Sequence, residues 1–231
     1  MARKLYELVG AEDDRRFSPY CWRSRMALAH KGLEAESVPW HFTDTDAIKF
    51  SGQGRVPVLV DGDKTVFDSW NIATYLEDRY PDKPSLFDGL TSRAMAGFFN
   101  SWVDTTVHPA LIGVILMDVY DHLGAADQAY FRKSREERFG TTLEAFVADG
   151  PAKLAAFRQA LQPARITLAK QPYLGGVGPQ YVDYILFGAF QWARAISPQH
   201  LLEADDPIVP WRARLLDAHG GLAGNAKGYP V

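Results

Sequence analysis

A single cysteine, Cys21, stands in a chain of 231 residues. No intrachain disulfide can form, and a zinc site built on several thiolates is excluded. Charge of one sign is not in excess: 25 basic residues against 28 acidic ones leave a net charge of −3. Nucleic acid is therefore not an expected partner. Long uninterrupted apolar runs are missing, and no membrane span is predicted. The opening Met1-Ala2-Arg3-Lys4-Leu5-Tyr6-Glu7 lacks the apolar stretch of a secretion signal, so a cytoplasmic location is expected. The histidines form no His-x-x-x-His pair, and no metal is expected. The remaining composition, 47% hydrophobic and 23% charged, is that of an ordinary globular protein long enough for one large domain or two small ones.

The most informative segment is Ser18-Pro19-Tyr20-Cys21. Leu5 to Val9 reads as a short strand, Gly10 to Phe17 as a charged loop, and Pro19 to Lys31 as a helix with Pro at its start and Gly32 past its end. A side chain just before that helix faces its unpaired N–H groups and its positive dipole end, a place that stabilises an anion such as a thiolate. The four residues resemble the Cys-x-x-Cys redox motif of thioredoxin-like proteins with the attacking Cys replaced by Ser. A serine hydroxyl cannot exchange disulfides, but it can donate a hydrogen bond to a sulfur brought in by a ligand. The plain alternative at Ser18 is a helix cap.

Glu34 to Trp40 suggests a second strand, and His41 to Gly54 is irregular with one weak helical turn. Val56 to Phe67 reads as a hairpin about Asp61-Gly62. Asp68-Ser69 opens a helix carrying Ile72, Tyr75 and Leu76, and Tyr80 to Pro84 stops it. The order strand–helix–strand, hairpin, helix is that of a thioredoxin-like unit, with a parallel first half and an antiparallel second half. Strand signals then largely cease. Thr91 to Leu123 is helical, with His108-Pro109 and Gly113 expected to bend or break it. The run Arg132 to Arg138 reads as a solvated helix face. Pro151 to Lys170, the apolar Val182 to Ile196, and a last helix from Ile208 complete an all-helical half. The fold class is α/β plus all-α. It divides into a thioredoxin-like N-terminal domain at 1–82, a linker at 83–90 and a helical-bundle C-terminal domain at 91–231.

Two more features bear on the site. Val56-Pro57 stands at the head of a strand; were the bond cis, the Val56 backbone could pair with an extended peptide ligand, whereas a trans proline would simply start the strand. Asp68 and Ser69 open the next helix, where Ser69 and free N–H groups suit a carboxylate and Asp68 an ammonium; the alternative is again a cap. Together these features describe a site for a small thiol peptide of the form of glutathione.

The chain resembles cytosolic glutathione S-transferases over nearly its full length. The residues that carry the likeness are Ser18-Pro19-Tyr20, Arg55-Val56-Pro57-Val58-Leu59 and Asp68-Ser69-Trp70-Asn71-Ile72-Ala73-Thr74-Tyr75-Leu76, with the all-helical second half. Within the family it looks most like the bacterial lignin β-etherases and the fungal serine-type transferases, through Trp22-Arg23, His30-Lys31-Gly32 and Ser134-Arg135-Glu136. The resemblance implies glutathione as cosubstrate, Ser18 as the thiol-activating residue, the Val56 backbone on the cysteinyl amide, and Asp68 and Ser69 on the γ-glutamyl end. Arg55, with Lys49 or His41, would face the glycine carboxylate, and Pro57 would be among the glutathione-binding residues. It also implies a homodimer and a hydrophobic electrophile as second substrate, β-aryl ethers included. Phe17, Tyr20, Phe99, Trp102, Thr106 and Tyr120 are candidate walls for that electrophile, with core packing as the alternative for each. One departure stands at the buried helix of the second half, where Gln180, a poor cap, precedes Asp183. Cys21 matches the second Cys of the redox motif: buried, it would be a packing residue; exposed, it would make the protein a glutathione-dependent reductase. A non-catalytic ligand-binding protein of the same fold is the third alternative.

Overall fold

The computed structural model describes residues 3–230. Its N-terminal part holds strands β1 (Lys4–Leu8), β2 (Glu36–Trp40), β3 (Val58–Asp61) and β4 (Lys64–Phe67), and helices α1 (Pro19–His30) and α2 (Ser69–Arg79). The sheet order is β2-β1-β3-β4, with β1 parallel to β2 and antiparallel to β3, and β3 antiparallel to β4. This is the expected arrangement, because the helical crossover α1 forces the first pair parallel and the tight Asp61–Lys64 turn forces the last pair antiparallel. Leu5 opposes Leu59 in the sheet and both are buried. The irregular stretch holds more structure than expected, a 3₁₀ helix over Thr45–Ser51.

The C-terminal part is wholly helical: α3 (Leu90–Trp102), α4 (His108–Asp121), α5 (Ala125–Phe139), α6 (Leu143–Phe146), α7 (Gly150–Ala160), α8 (Gln162–Leu168), α9 (Tyr181–Ile196) and α10 (Ile208–Gly221). His108-Pro109 does not break the first of these. A π turn over Val103–Val107 joins α3 to α4 with right-handed helical backbone at both junctions. Pro109 follows just beyond this π turn, whose widened backbone accommodates the proline ring and its missing N–H inside a continuous helix. The joined helix, Leu90–Asp121, is by length and composition apolar enough to cross a membrane. Its apolar residues Val107, Leu111, Ile115 and Val119 are instead buried in the common core. The expected helix Pro151–Lys170 is split at Leu161, and α10 carries a kink at Ala218–Gly220.

α9 is the central element and packs along α1. Gly188 permits this close approach, since a Cβ there would collide with the carbonyl oxygen of Pro19 at the head of α1. The entry to α9 is solved by Asp183. Its carboxylate accepts from Gln180 N–H (2.9 Å), Leu174 N–H (2.7 Å), Gly175 N–H (3.1 Å) and the indole N–H of Trp211 (2.8 Å). The Gln180 side-chain oxygen is left unpartnered, so the acid supplies the capping that the glutamine does not.

Candidate active site

Ser18 is buried at the N-cap of α1 with extended backbone (φ −66°, ψ 124°). Its oxygen accepts from Cys21 N–H at 3.3 Å, and among the described residues its hydroxyl hydrogen has no oxygen or nitrogen acceptor. The capping and anion-holding roles are therefore compatible. Cys21 is fully buried, and its thiol is pushed up to about 12 by burial and then by the Glu7 charge, only partly offset by the Ser18 hydroxyl and the Leu8 backbone. A reductase acting through Cys21 would need the opposite environment.

The Val56-Pro57 bond is cis. Among the described residues, neither N–H nor C=O of Val56 has a partner within the chain. Arg55 is exposed and held by a local ring, in which its N–H donates to Gln53 Oε1 (2.7 Å) and Gln53 Nε2 donates to its carbonyl (2.8 Å). Its guanidinium makes no ion pair among the described residues. Lys49 is exposed, 3.9 Å from Asp46. His41 is taken up elsewhere, between Asp13 (3.3 Å) and Asp127 (3.7 Å).

At the head of α2, Asp68 takes the capping position itself. Its Oδ1 accepts from Trp70 N–H (3.0 Å) and Asn71 N–H (3.1 Å), and Oδ2 has no partner among the described residues. Asp68 holds φ 71°, ψ 133°, a left-handed conformation that costs a non-glycine residue about 1–3 kcal/mol. Ser69 is buried beneath it, and its carbonyl accepts from Tyr181 O–H at 2.8 Å. That bond ties the start of α2 to α9.

The six aromatic and polar wall candidates separate. Phe17 is buried against Phe42 and belongs to the core. Tyr120 sits under the Arg132 guanidinium, about 18 Å along α4 from His108 at the helical rise per residue. Phe99 and Trp102 are half-buried with ring centres 5.0 Å apart, and Thr106 is exposed in the π turn. Tyr20 is half-buried against a polar cluster that sequence reading did not find. The buried Arg23 donates to Asp104 Oδ1 (2.8 Å), Asn100 Oδ1 (3.0 Å) and the Ile185 carbonyl (3.3 Å), and lies over the Tyr20 ring. His108 Nδ1 lies 3.3 Å from the Tyr20 hydroxyl and 3.4 Å from Asp104 Oδ1. Burial, then the Arg23 charge, hold the His108 imidazole far below its ordinary range, and burial raises the Tyr20 phenol. The only hint in the sequence was His108-Pro109, whose meaning as a helix interruption masked the imidazole. Glu7, fully buried with Arg25 at 3.0 Å and with Ser37, was also missed. A cavity of about 970 Å³ lies between α1, the start of β2 and His219, and touches none of the expected site residues. No group of three His, Cys, Asp or Glu placed to hold a metal ion occurs among the described residues.

Comparison with known proteins places this geometry in a family. Residues 17–79 match the glutathione S-transferase N-terminal domain model, and residues 94–211 match the glutathione S-transferase C-terminal domain model. Glutathione S-transferase Z2 of Arabidopsis thaliana is 30% identical over 145 residues, 58% of this chain and 65% of that protein, so the match spans less than two thirds of the relative's length. Glutathione transferase GSTFuA2 from Phanerochaete chrysosporium is 26% identical with a TM-score of 0.76, covering 96% of this chain and 93% of that one. A glutathione S-transferase of Ceriporiopsis subvermispora, solved in complex with glutathione, superposes with a TM-score of 0.84 at 23% identity, over 93% and 96% of the two chains. With a thioredoxin-like sheet, a serine at the mouth of α1, and both domain models matched in order, the chain belongs to the glutathione S-transferase family.

Proposed function

We propose that the protein is a glutathione transferase that activates the cosubstrate thiol through the Ser18 hydroxyl and directs it at hydrophobic aromatic electrophiles. The observation that carries this reading is the position of Ser18, a buried hydroxyl at the head of α1 whose hydrogen has no oxygen or nitrogen acceptor among the described residues. A free thiol ionises near pH 8.5, and lowering that by about two units takes roughly 2.7 kcal/mol. A hydroxyl hydrogen bond to an anion contributes about 1.5–3 kcal/mol and a helix N-terminus roughly 0.3–1 kcal/mol more. The two together suffice without a general base.

The unpartnered backbone of Val56 suits an amide of an extended peptide. The free Oδ2 of Asp68 suits the γ-glutamyl ammonium, and Ser69 lies beside it. Arg55 and Lys49 supply exposed positive charge for the glycine carboxylate. The electrophile would lie between residues 1–82 and 91–231, the two functional domains, against Tyr20, Phe99, Trp102 and Thr106. The attacking sulfur forms a thioether while a halide, phenoxide or enolate takes the electron pair, and β-aryl ether cleavage falls within that scope. The exposed apolar residues Phe67, Met95 and Phe98 suit a homodimer interface. Crystals soaked in glutathione should place its sulfur within about 3.3 Å of Ser18 Oγ. Conjugation should fall roughly 10- to 100-fold in Ser18→Ala and recover in part in Ser18→Thr, which keeps the hydroxyl. A sulfur bound away from Ser18, or Ser18→Ala turning over at the wild-type rate, would contradict the reading.

A further inference from the structure

We infer that Tyr20 is a second catalytic residue, donating its phenolic hydrogen to the oxygen that receives charge from the electrophile, and that His108 is the positioning residue that frees that hydrogen. The inference rests on the Ser18 reading and narrows it to electrophiles whose charge lands on oxygen.

The orientation of His108 follows from its neighbours. A carboxylate oxygen 3.4 Å from Nδ1 disfavours a bare lone pair there, so the ring proton sits on Nδ1. Nε2 is then an unprotonated acceptor. It is buried without a partner, as is the indole N–H of Trp192, whose ring centre lies 5.8 Å away at a near-perpendicular angle. An acceptor is the better neighbour for an unpaired N–H. With the proton on Nδ1, the Tyr20 oxygen 3.3 Å away accepts rather than donates. Among the described residues the Tyr20 hydroxyl has no other partner, so its hydrogen is left over. Arg23 above the ring, itself anchored by Asp104 and Asn100, prevents the ring from turning away.

Tyr20 follows Ser18 by two residues in the first turn of α1 and is half-buried, its ring set between Arg23 and His108. Burial raises its ionisation, so it keeps its proton and acts as a donor. For an α-aryloxy ketone, the thiolate sulfur forms the new C–S bond and the C–O bond breaks. The electron pair leaves on the phenoxide oxygen, which the Tyr20 O–H stabilises by a hydrogen bond without giving up its hydrogen. The single negative charge passes from sulfur to oxygen, and the phenoxide is protonated by water after release.

The test compares an α-phenoxy ketone with the α-chloro ketone of the same skeleton, whose leaving halide gains far less from a hydroxyl donor. In Tyr20→Phe the ether-to-chloride ratio of kcat/KM should fall roughly 10- to 100-fold. His108→Leu should lower the same ratio, and His108→Asn, whose amide N–H stands near the Nδ1 position, should restore much of it; a merely structural role would lower both substrates together. A series of substituted phenoxides on the wild type gives a reading without mutation: rates should depend weakly on leaving-group basicity. An unchanged ratio in Tyr20→Phe, or a steep wild-type dependence, overturns the inference. A wild type that binds glutathione without ionising its thiol overturns the Ser18 reading instead, so the two failures are distinguishable.

Discussion

At the residue scale the protein places charge and hydroxyl groups where sequence order alone would not suggest contact. Arg23, on the second turn of α1, has no exposed side-chain surface and reaches Asn100, Asp104 and Ile185. Arg23→Ala leaves Asp104 part-exposed and still bonded by Asn100, and empties the buried guanidinium's place; it is expected to destabilise the fold by about 2–3 kcal/mol, as measured by urea unfolding. Replacing Arg23 and Asp104 together by apolar residues should cost less than the two single changes added. A single-variant loss below about 1 kcal/mol would mean the guanidinium is not desolvated as the structure has it. Cys21 illustrates the reverse case: its thiol, raised to about 12 by burial, should resist alkylation at neutral pH in the folded protein. Rapid labelling of the native chain by a thiol reagent would contradict that environment.

At the element scale, α9 against α1 is the decisive contact, and it depends on Gly188. Gly188→Ala pushes a methyl group into the Pro19 carbonyl. Overpacking of this kind costs about 1–3 kcal/mol, and here it also displaces the helix mouth that carries Ser18. The expected result is a lower thermal midpoint together with a disproportionate loss of conjugation; loss of stability with full activity would show that the mouth is unaffected. The α/β half was legible because its signals are local: Pro19 at a helix start, Asp61-Gly62 at a turn, and apolar strands bounded by loops. The helical half was legible as helices but not at its joints. A π turn lets α3 run into α4 through His108-Pro109, and Asp183 does the capping that Gln180 could not. Ser18, Val56 and Asp68 were legible as candidates from their places next to helix and strand starts. The Tyr20–His108–Asp104 cluster was not, because its members meet only when the π turn and the first residue of α4 are brought against α1 in the folded chain.

At the scale of the whole molecule, three histidines set a pH response. His30 bonds the Ser85 carbonyl (2.9 Å) and Tyr184 (2.7 Å), and Tyr184 bonds His219 (3.0 Å), so this chain of contacts joins α1, the segment after α2, α9 and α10. Burial holds His30, His108 and His219 below their ordinary value of 6.5. The unfolded chain therefore binds protons that the folded chain refuses, and stability is lost as pH falls below about 6.5, until the lower folded values are passed. The thermal midpoint should fall between about pH 7.5 and about pH 5.5, a window in which ordinary carboxylates do not titrate. A flat or inverted profile would contradict burial of the three neutral rings.

The claim on which the rest depends is that Ser18 lends a hydrogen bond to a bound sulfur anion. Titration of enzyme-bound glutathione, followed by thiolate absorption in the ultraviolet, tests it directly. The wild type should show the thiol ionising about two pH units below free glutathione, and Ser18→Ala should return most of that shift. An unshifted thiol in the wild type, or an equal shift in Ser18→Ala, would contradict it.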